Sequence, residues 1–295
     1  MITMNKYTGM IVLLAVCLLG FRSYAEENIS GYLQDISVTI KTKSGEGSGV
    51  VFTRDVACEG GVKKVNFVWT AAHVLESLRS TRNVLSSDGT VKKVTEFQDA
   101  EIIKKLVQEG RTVGQLTIDA RVIKYSDAKD GEDLALLLIR KFNFVDVSAK
   151  FYKDEKNSGV PLGTQLYHVG SLLGETGSNS MTTGIMSQVG RMVSVNGGTK
   201  VLFDQTTVTA FPGSSGGGVF LTNGEYIGML VRGAGETFNL IVPMRRIVRW
   251  AQKENMMWAL DATVVSPSLE QIESASVESM GKADVSSGSG SLIFP

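Results

Sequence analysis

The chain has 295 residues, 43% of them hydrophobic, and its 30 Lys plus Arg are balanced by 30 Asp plus Glu. That length buries one two-lobed core or two small ones, and the hydrophobic fraction excludes a chain that is disordered throughout. Charge balance leaves no general field to draw in polyanions, so nucleic acid is not an expected partner.

Residues 1–25 read as a secretory signal. Lys6 gives a short basic start, residues 10–19 form an apolar run, and Ser23-Tyr24-Ala25 offers a small-x-small cleavage site before Glu26. The chain is therefore expected to be exported, periplasmic or secreted. An apolar run of about a dozen residues falls short of the roughly 20 needed to cross a bilayer, so no stable membrane span is expected. With Cys17 removed in the signal, Cys58 is left without an intramolecular partner and is expected to be a buried, non-catalytic thiol.

From residue 26 to about 242 the sequence is dominated by short β-prone runs broken by Gly, Asn and Asp. Strands are predicted over 38–41, 49–53, 65–70, 117–123, 134–139, 165–169, 181–189, 200–203, 217–220, 226–231 and 238–242. So many strands at close spacing indicate an all-β sandwich or barrel. Two segments carry helical spacing instead. One is 98–109, with Ile102, Ile103, Leu106 and Val107 on one face; the other is 244–260, with Ile247, Val248, Ala251 and Trp258. From Thr263 to Pro295 the composition shifts to Ser, Gly, Val and Glu, which predicts a flexible tail.

The chemistry concentrates in Gly213-Ser214-Ser215-Gly216-Gly217, a hydroxyl nucleophile inside a loop whose glycines leave backbone amides free. This run fits both GxSGG and the GxSxG elbow of α/β-hydrolases. The histidines decide between them. His73 and His168 both precede Ser215, whereas an α/β-hydrolase needs its base after the nucleophile. His73 lies in Trp69-Thr70-Ala71-Ala72-His73-Val74 and Asp133 in Gly131-Glu132-Asp133-Leu134-Ala135, which gives the chain order His, Asp, Ser. His168 sits in a strand pattern with no metal-ligand cluster around it and is expected to be structural, so neither a catalytic metal nor a cofactor is predicted.

With these residues assembled, the chain resembles the chymotrypsin-like serine peptidases, and among them the disulfide-free bacterial HtrA-type proteases. The resemblance rests on Gly47-Ser48-Gly49-Val50-Val51, the histidine motif 70–74, the aspartate motif 133–137, residues 163–170 with Thr183-Gly184-Ile185, the nucleophile loop 212–217 and the hairpin 224–228. It implies two six-stranded antiparallel β-barrels with the site in the crevice between them. The implied division is a signal over 1–25, a protease domain over 26–262 and a tail over 263–295. Within the domain the barrels fall at about 26–150 and 157–243, and a closing helix at about 244–260.

The resemblance also implies roles. Ser215 would attack a peptide carbonyl, His73 would act as general base and then acid, and Asp133 would orient His73. The amides of Gly213 and Ser215 would hold the oxyanion. Thr209 would lie at the floor of the specificity pocket, with Val231, Arg232 and Gly233 lining the substrate strand. No aspartate occupies that floor, so cleavage after Arg or Lys is disfavoured. Arg232 reads equally as a subsite for an acidic residue or as a solvated rim cation.

The sequence departs from the family pattern in three places. The stretch between His73 and Asp133 is roughly twice that of short-looped relatives, which suggests an insertion over 75–132 bordering the cleft. Where digestive members carry an aspartate before the nucleophile, this chain has Ser214, so activation through an ion pair with a freed N-terminus is not expected. Too little sequence follows Leu260 for the PDZ domain that many HtrA proteases carry. The expected partner is a polypeptide substrate, and no oligomeric state is implied. The competing readings are a protease-fold binding or scaffold protein without turnover, and an esterase using the same three residues.

Overall fold

The structure is a computed structural model that describes residues 29–279 apart from 86–88, 109, 130, 196–198 and 234–236. The proposed signal and the last part of the expected tail lie outside the described residues. A short helix, α1, spans 29–35 and buries Leu33. The first barrel is then built from β1 (Ser37–Lys41), β2 (Glu46–Cys58), β3 (Gly61–Thr70), β6 (Ala100–Gln108), β7 (Arg111–Ser126) and β8 (Leu134–Ile139). These close in the order β1-β2-β3-β8-β7-β6, with β6 pairing back to β1. The strands β4 (Arg79–Leu85) and β5 (Val91–Phe97) form a separate two-stranded hairpin.

The second barrel holds β10 (Gln165–Gly170), β11 (Ser180–Val195), β12 (Thr199–Thr206), β13 (Gly218–Leu221), β14 (Glu225–Gly233) and β15 (Asn239–Pro243). The order is β13-β10-β11-β12-β15-β14, and the β13–β14 pairing closes it into a ring of six. The two-residue β9 (Lys150–Phe151) adds to β14 in parallel. The expected all-β architecture of two six-stranded barrels is the one observed.

Alternation along three strands explains how the barrels lock together. Val51, Val68, Ala135, Leu137 and Ile139 pack inside the first barrel with Ile40 and Ile102. Their neighbours Phe52, Phe67, Trp69, Leu134, Leu136 and Leu138 face the other way, into a core shared with Phe220, Tyr226, Trp250 and Trp258. A strand buried on both faces reads as a continuous apolar run, which is why Leu134–Ile139 is apolar at every position. Ring contacts brace the shared core: Phe67 meets Trp258 edge-on at 5.0 Å and Trp69 meets Trp250 at 5.8 Å.

All eleven predicted strands are present, most of them longer than predicted. The helix predicted over 98–109 is wrong: these residues form β6. Ile102 and Ile103 are buried and lie opposite Ile40 and Thr39 of β1, while Lys104 is buried with its ammonium 3.3 Å from Asp35. Closing the barrel outweighs the local helical spacing. Of the stretch 75–132, expected as an insertion, residues 100–126 supply the barrel strands β6 and β7, and 79–97 form the separate hairpin.

The predicted helix 244–260 is broken into α2 (Met244–Lys253) and a 3-10 turn at Met257–Ala259. Asn255 takes a left-handed φ of 56°, and its amide and that of Met256 bond back to Gln252 and Ala251, the Schellman arrangement that ends a helix.

The tail predicted from residue 263 does not hold for 263–279. Ser268 and Gln271 form a capping box on α3 (Leu269–Ser274), which buries Ile272. The next residues strap onto β7 through Tyr125 N→Val277 O (2.8 Å) and Ser279 N→Tyr125 O (2.9 Å), and Arg79 binds Glu278.

Candidate active site

His73 stands on a 3-10 turn (Ala72–Leu78) directly after β3, and Asp133 precedes β8. Asp133 is 4% exposed and has a left-handed φ of 57°. Its Oδ1 accepts the His73 backbone amide at 3.0 Å, and both carboxylate oxygens lie 3.0 Å from His73 Nδ1. A buried carboxylate facing Nδ1 places the proton there and leaves Nε2 as the acceptor. The imidazole edge stays accessible, with the side chain 37% exposed.

The backbone leading to Asp133 is held from the second barrel's side. Arg246 of α2 is buried. It donates through Nε to Glu132 Oε2 at 2.8 Å, through Nη2 to the Glu132 carbonyl at 2.9 Å and through Nη1 to Leu202 O at 3.0 Å. The guanidinium also stacks over Phe203 at 4.9 Å. Burial lowers its pKa, and the Glu132 and Asp133 carboxylates oppose that shift. An unusual backbone conformation next to the site is thereby fixed by several bonds, as strain at such positions requires.

Ser215 lies in the turn between Thr206 and β13. A β-carbon on Gly47 would fall 2.5 Å from Val74, the neighbour of His73, and 3.1 Å from the Ser215 carbonyl oxygen, so only a bare backbone lets the two segments meet. No hydrogen bond joins His73 Nε2 to Ser215 Oγ in this structure; in the absence of substrate such contacts are commonly long and tighten as the reactant binds.

The loop's own bonds are selective. The amides of Ser214, Gly216 and Gly217 donate to Phe211, Leu230 and Ser214 carbonyls, and the Pro212 carbonyl accepts from Leu173 N at 2.8 Å. Among the described residues, the Gly213 and Ser215 amides donate to no protein acceptor, which is the condition an oxyanion site needs. Gly213 has φ 95°, and a side chain there would collide with the Ser171 carbonyl. Ser214, at the position of the digestive enzymes' aspartate, is buried and accepts the Phe211 amide at 3.1 Å, which closes the turn locally.

The residues aligned with the specificity pocket are less concentrated. Thr209 is half-buried, and its carbonyl accepts from Thr182 Oγ1 at 3.4 Å; Val231 is buried, Arg232 half-buried and Gly233 exposed. Asn239 joins this group. It is fully buried, donates to Val208 O at 2.7 Å, and its Oδ1 occupies the space a Gly233 side chain would need. Nothing in the local sequence marks Asn239 or Arg246, since each acts on partners far along the chain.

His168 is buried, with Nδ1 2.9 Å from the Gly218 carbonyl and no partner for Nε2; burial lowers its pKa from 6.5 to about 4. It is a neutral structural side chain. Cys58, expected to be buried, is half-buried, and among the described residues it forms no disulfide. Among the described residues no group of three or more His, Cys, Asp and Glu side chains is arranged for a metal ion, and no helix is long and apolar enough to cross a membrane.

Two six-stranded barrels, a histidine and aspartate from one and a glycine-lined serine turn from the other, define the class of chymotrypsin-like serine peptidase folds. Comparison with known proteins agrees. The model of the trypsin-like peptidase domain matches residues 47–229, more than half of the chain, and the chain belongs to that family. It is 29% identical over 191 residues to the serine protease Do-like HtrA of Bacillus subtilis (strain 168); the match covers 64% of this chain and 33% of that protein, so the chain spans about a third of the relative's length. Two solved structures share the fold. The HtrA-type protease AlgW with a tripeptide has a TM-score of 0.54 at 18% identity, covering 78% of this chain and 63% of that one. The serine endoprotease from Yersinia pestis has a TM-score of 0.51 at 17% identity, covering 78% and 66%.

Proposed function

We propose that this chain is an exported serine endopeptidase that cleaves polypeptides through an acyl-enzyme intermediate. Ser215 Oγ attacks the scissile carbonyl carbon while His73 Nε2 takes its proton. The resulting oxyanion is received by the Gly213 and Ser215 amides, and Asp133 stabilises the imidazolium. His73 then protonates the leaving amine as the C–N bond breaks, and a water activated by the same imidazole releases the acyl group. The observation that carries the reading is the buried Asp133 carboxylate gripping both the amide and Nδ1 of His73, across Gly47 from a serine loop with unspent amides.

Membership of the trypsin-like peptidase family supports the reading. The absence of a carboxylate at Thr209 favours a medium apolar or small polar residue before the cleaved bond. The test is cleavage of casein and of a peptide library by the purified chain. Wild type is expected to cut and Ser215→Ala to leave substrate intact, whereas a folded wild type that cuts neither fails the assignment.

A further inference from the structure

We propose that Ser48, on β2 of the first barrel, is a positioning residue for the oxyanion hole on the second; the inference rests on the peptidase reading above. Ser48 is fully buried, and every polar atom it has is engaged at this one junction. Its amide donates to the Ser215 carbonyl at 2.7 Å. Its Oγ donates to the Gly213 carbonyl at 2.7 Å and accepts the Ser171 amide at 2.8 Å. Its carbonyl accepts Thr70 Oγ1 at 2.8 Å.

The geometry at Gly213 gives these bonds their meaning. A glycine at φ 95° has no β-carbon to restrict it, so the directions of its flanking peptides are set by what binds them. The Pro212–Gly213 peptide is held at its carbonyl by Leu173 N, which leaves the Gly213 N–H unspent. The Gly213–Ser214 peptide is held at its N–H by Phe211 O and at its carbonyl by Ser48 Oγ. Among the described residues no other side chain donates to that carbonyl.

The hydroxyl also ties Ser171, whose own carbonyl packs against Gly213, so one oxygen sets the nucleophile turn and the segment behind it in register. Ser48 is fully buried and presents no atom to solvent. It acts through the Gly213–Ser214 peptide, which follows the Gly213 amide and fixes how the unrestricted Gly213 joins the turn, and its effect is expected where negative charge develops rather than where substrate first binds.

The test compares the full chain carrying Ser48→Ala with Thr39→Val, using a peptide that wild type cleaves and a peptide aldehyde of the same sequence. Thr39 hydroxyl bonds to Ser171 Oγ and Ser178 Oγ hold the same loop but do not touch Gly213, so that variant reports general loosening. Ser48→Ala is expected to lose about tenfold in kcat with KM within about twofold, less than the 10²–10³ that follows removal of an oxyanion donor itself. Aldehyde affinity is expected to fall by the same factor, because its adduct places an oxyanion in the hole, while Thr39→Val stays within about twofold on every measure.

Ser48→Cys, which fills the space with a far weaker donor, takes the place of Ser48→Ala if the latter does not fold, with the same expected direction. Unchanged kcat and aldehyde affinity, or a loss no greater than that of Thr39→Val, overturns the proposal while the peptidase reading stands. A wild type without cleavage brings down both.

Discussion

In the first barrel, hydrogen bonds bring a carboxylate and an imidazole together; in the second, they hold every amide of the nucleophile loop except two. Asp133 is buried, gripped through its neighbour Glu132 by Arg246, and spends its oxygens on His73. The loop 211–217 uses its amides on Phe211, Ser214 and Leu230 but keeps those of Gly213 and Ser215 in reserve. Proton handling needs a fixed, desolvated carboxylate beside the imidazole, whereas charge stabilisation needs donors that fold into place without being satisfied. The first is built around a carboxylate on a left-handed backbone at Asp133 that Arg246 holds through Glu132. The second is built from backbone and requires glycine.

Perturbing the two halves should therefore fail in different ways. The largest effect is expected at the atom they share: Ser215→Ala should lower turnover by on the order of 10⁶, read by peptide cleavage, since removing the nucleophile costs about that much in other serine proteases. Asp133→Asn keeps the shape but offers Nδ1 a donor instead of an acceptor, and turnover should fall by on the order of 10⁴ with little change in KM. Gly213→Ala puts a side chain against the Ser171 carbonyl at a φ that L-residues avoid, and should cost on the order of 10²–10³ in kcat while leaving the His73–Asp133 pair intact. If Gly213→Ala instead behaves as wild type, the distinction between the two halves is lost.

Smaller effects concern stability. His168 has a folded pKa of about 4 against 6.5 unfolded, so the unfolded chain binds the extra proton between those values. Stability should be fully present above pH 6.5 and fall as pH drops towards 4, by about 3 kcal/mol from this residue. Urea midpoints of His168→Gln should show a flatter acid limb than wild type. Ending the chain after Asp261 removes buried Ile272 and the strap on Tyr125, and should cost at least about 2 kcal/mol in thermal unfolding. Ending it after Ser279 keeps both and should cost little.

The same contrast explains what was legible in the sequence. The His73, Asp133 and Ser215 motifs are legible because Thr70–Val74, Asp133–Leu137 and Gly213–Gly217 are local patterns in a fixed order, and the strands because alternation and turn residues are local too. β6 reads as a helix in sequence because Ile102, Ile103, Leu106 and Val107 satisfy a 3.6-residue spacing, and only the distant pairing with β1 makes them a strand. The strand β4 is largely exposed, and its apolar residues are only Val84 and Leu85, so it carries little apolar signal. Arg246 and Asn239 look ordinary in sequence, since their partners lie 114 and 31 residues away, and the motif that contains Ser48 does not reveal its bond to Gly213, 165 residues away. Residues 263–279 read as tail because a Ser- and Glu-rich segment anchored by Ile272 offers few apolar positions, and the rest of its binding is backbone pairing and polar bonds to distant residues such as Arg79 and Trp250.

The most direct measurement of convergence is labelling of the folded chain at neutral pH with an active-site-directed phosphonofluoridate, followed by mass spectrometry of the digested protein. One adduct is expected, on Ser215, formed far more slowly in Asp133→Asn and absent after unfolding. No adduct on Ser215 in a folded wild type, or equal labelling of exposed serines elsewhere, would contradict that convergence.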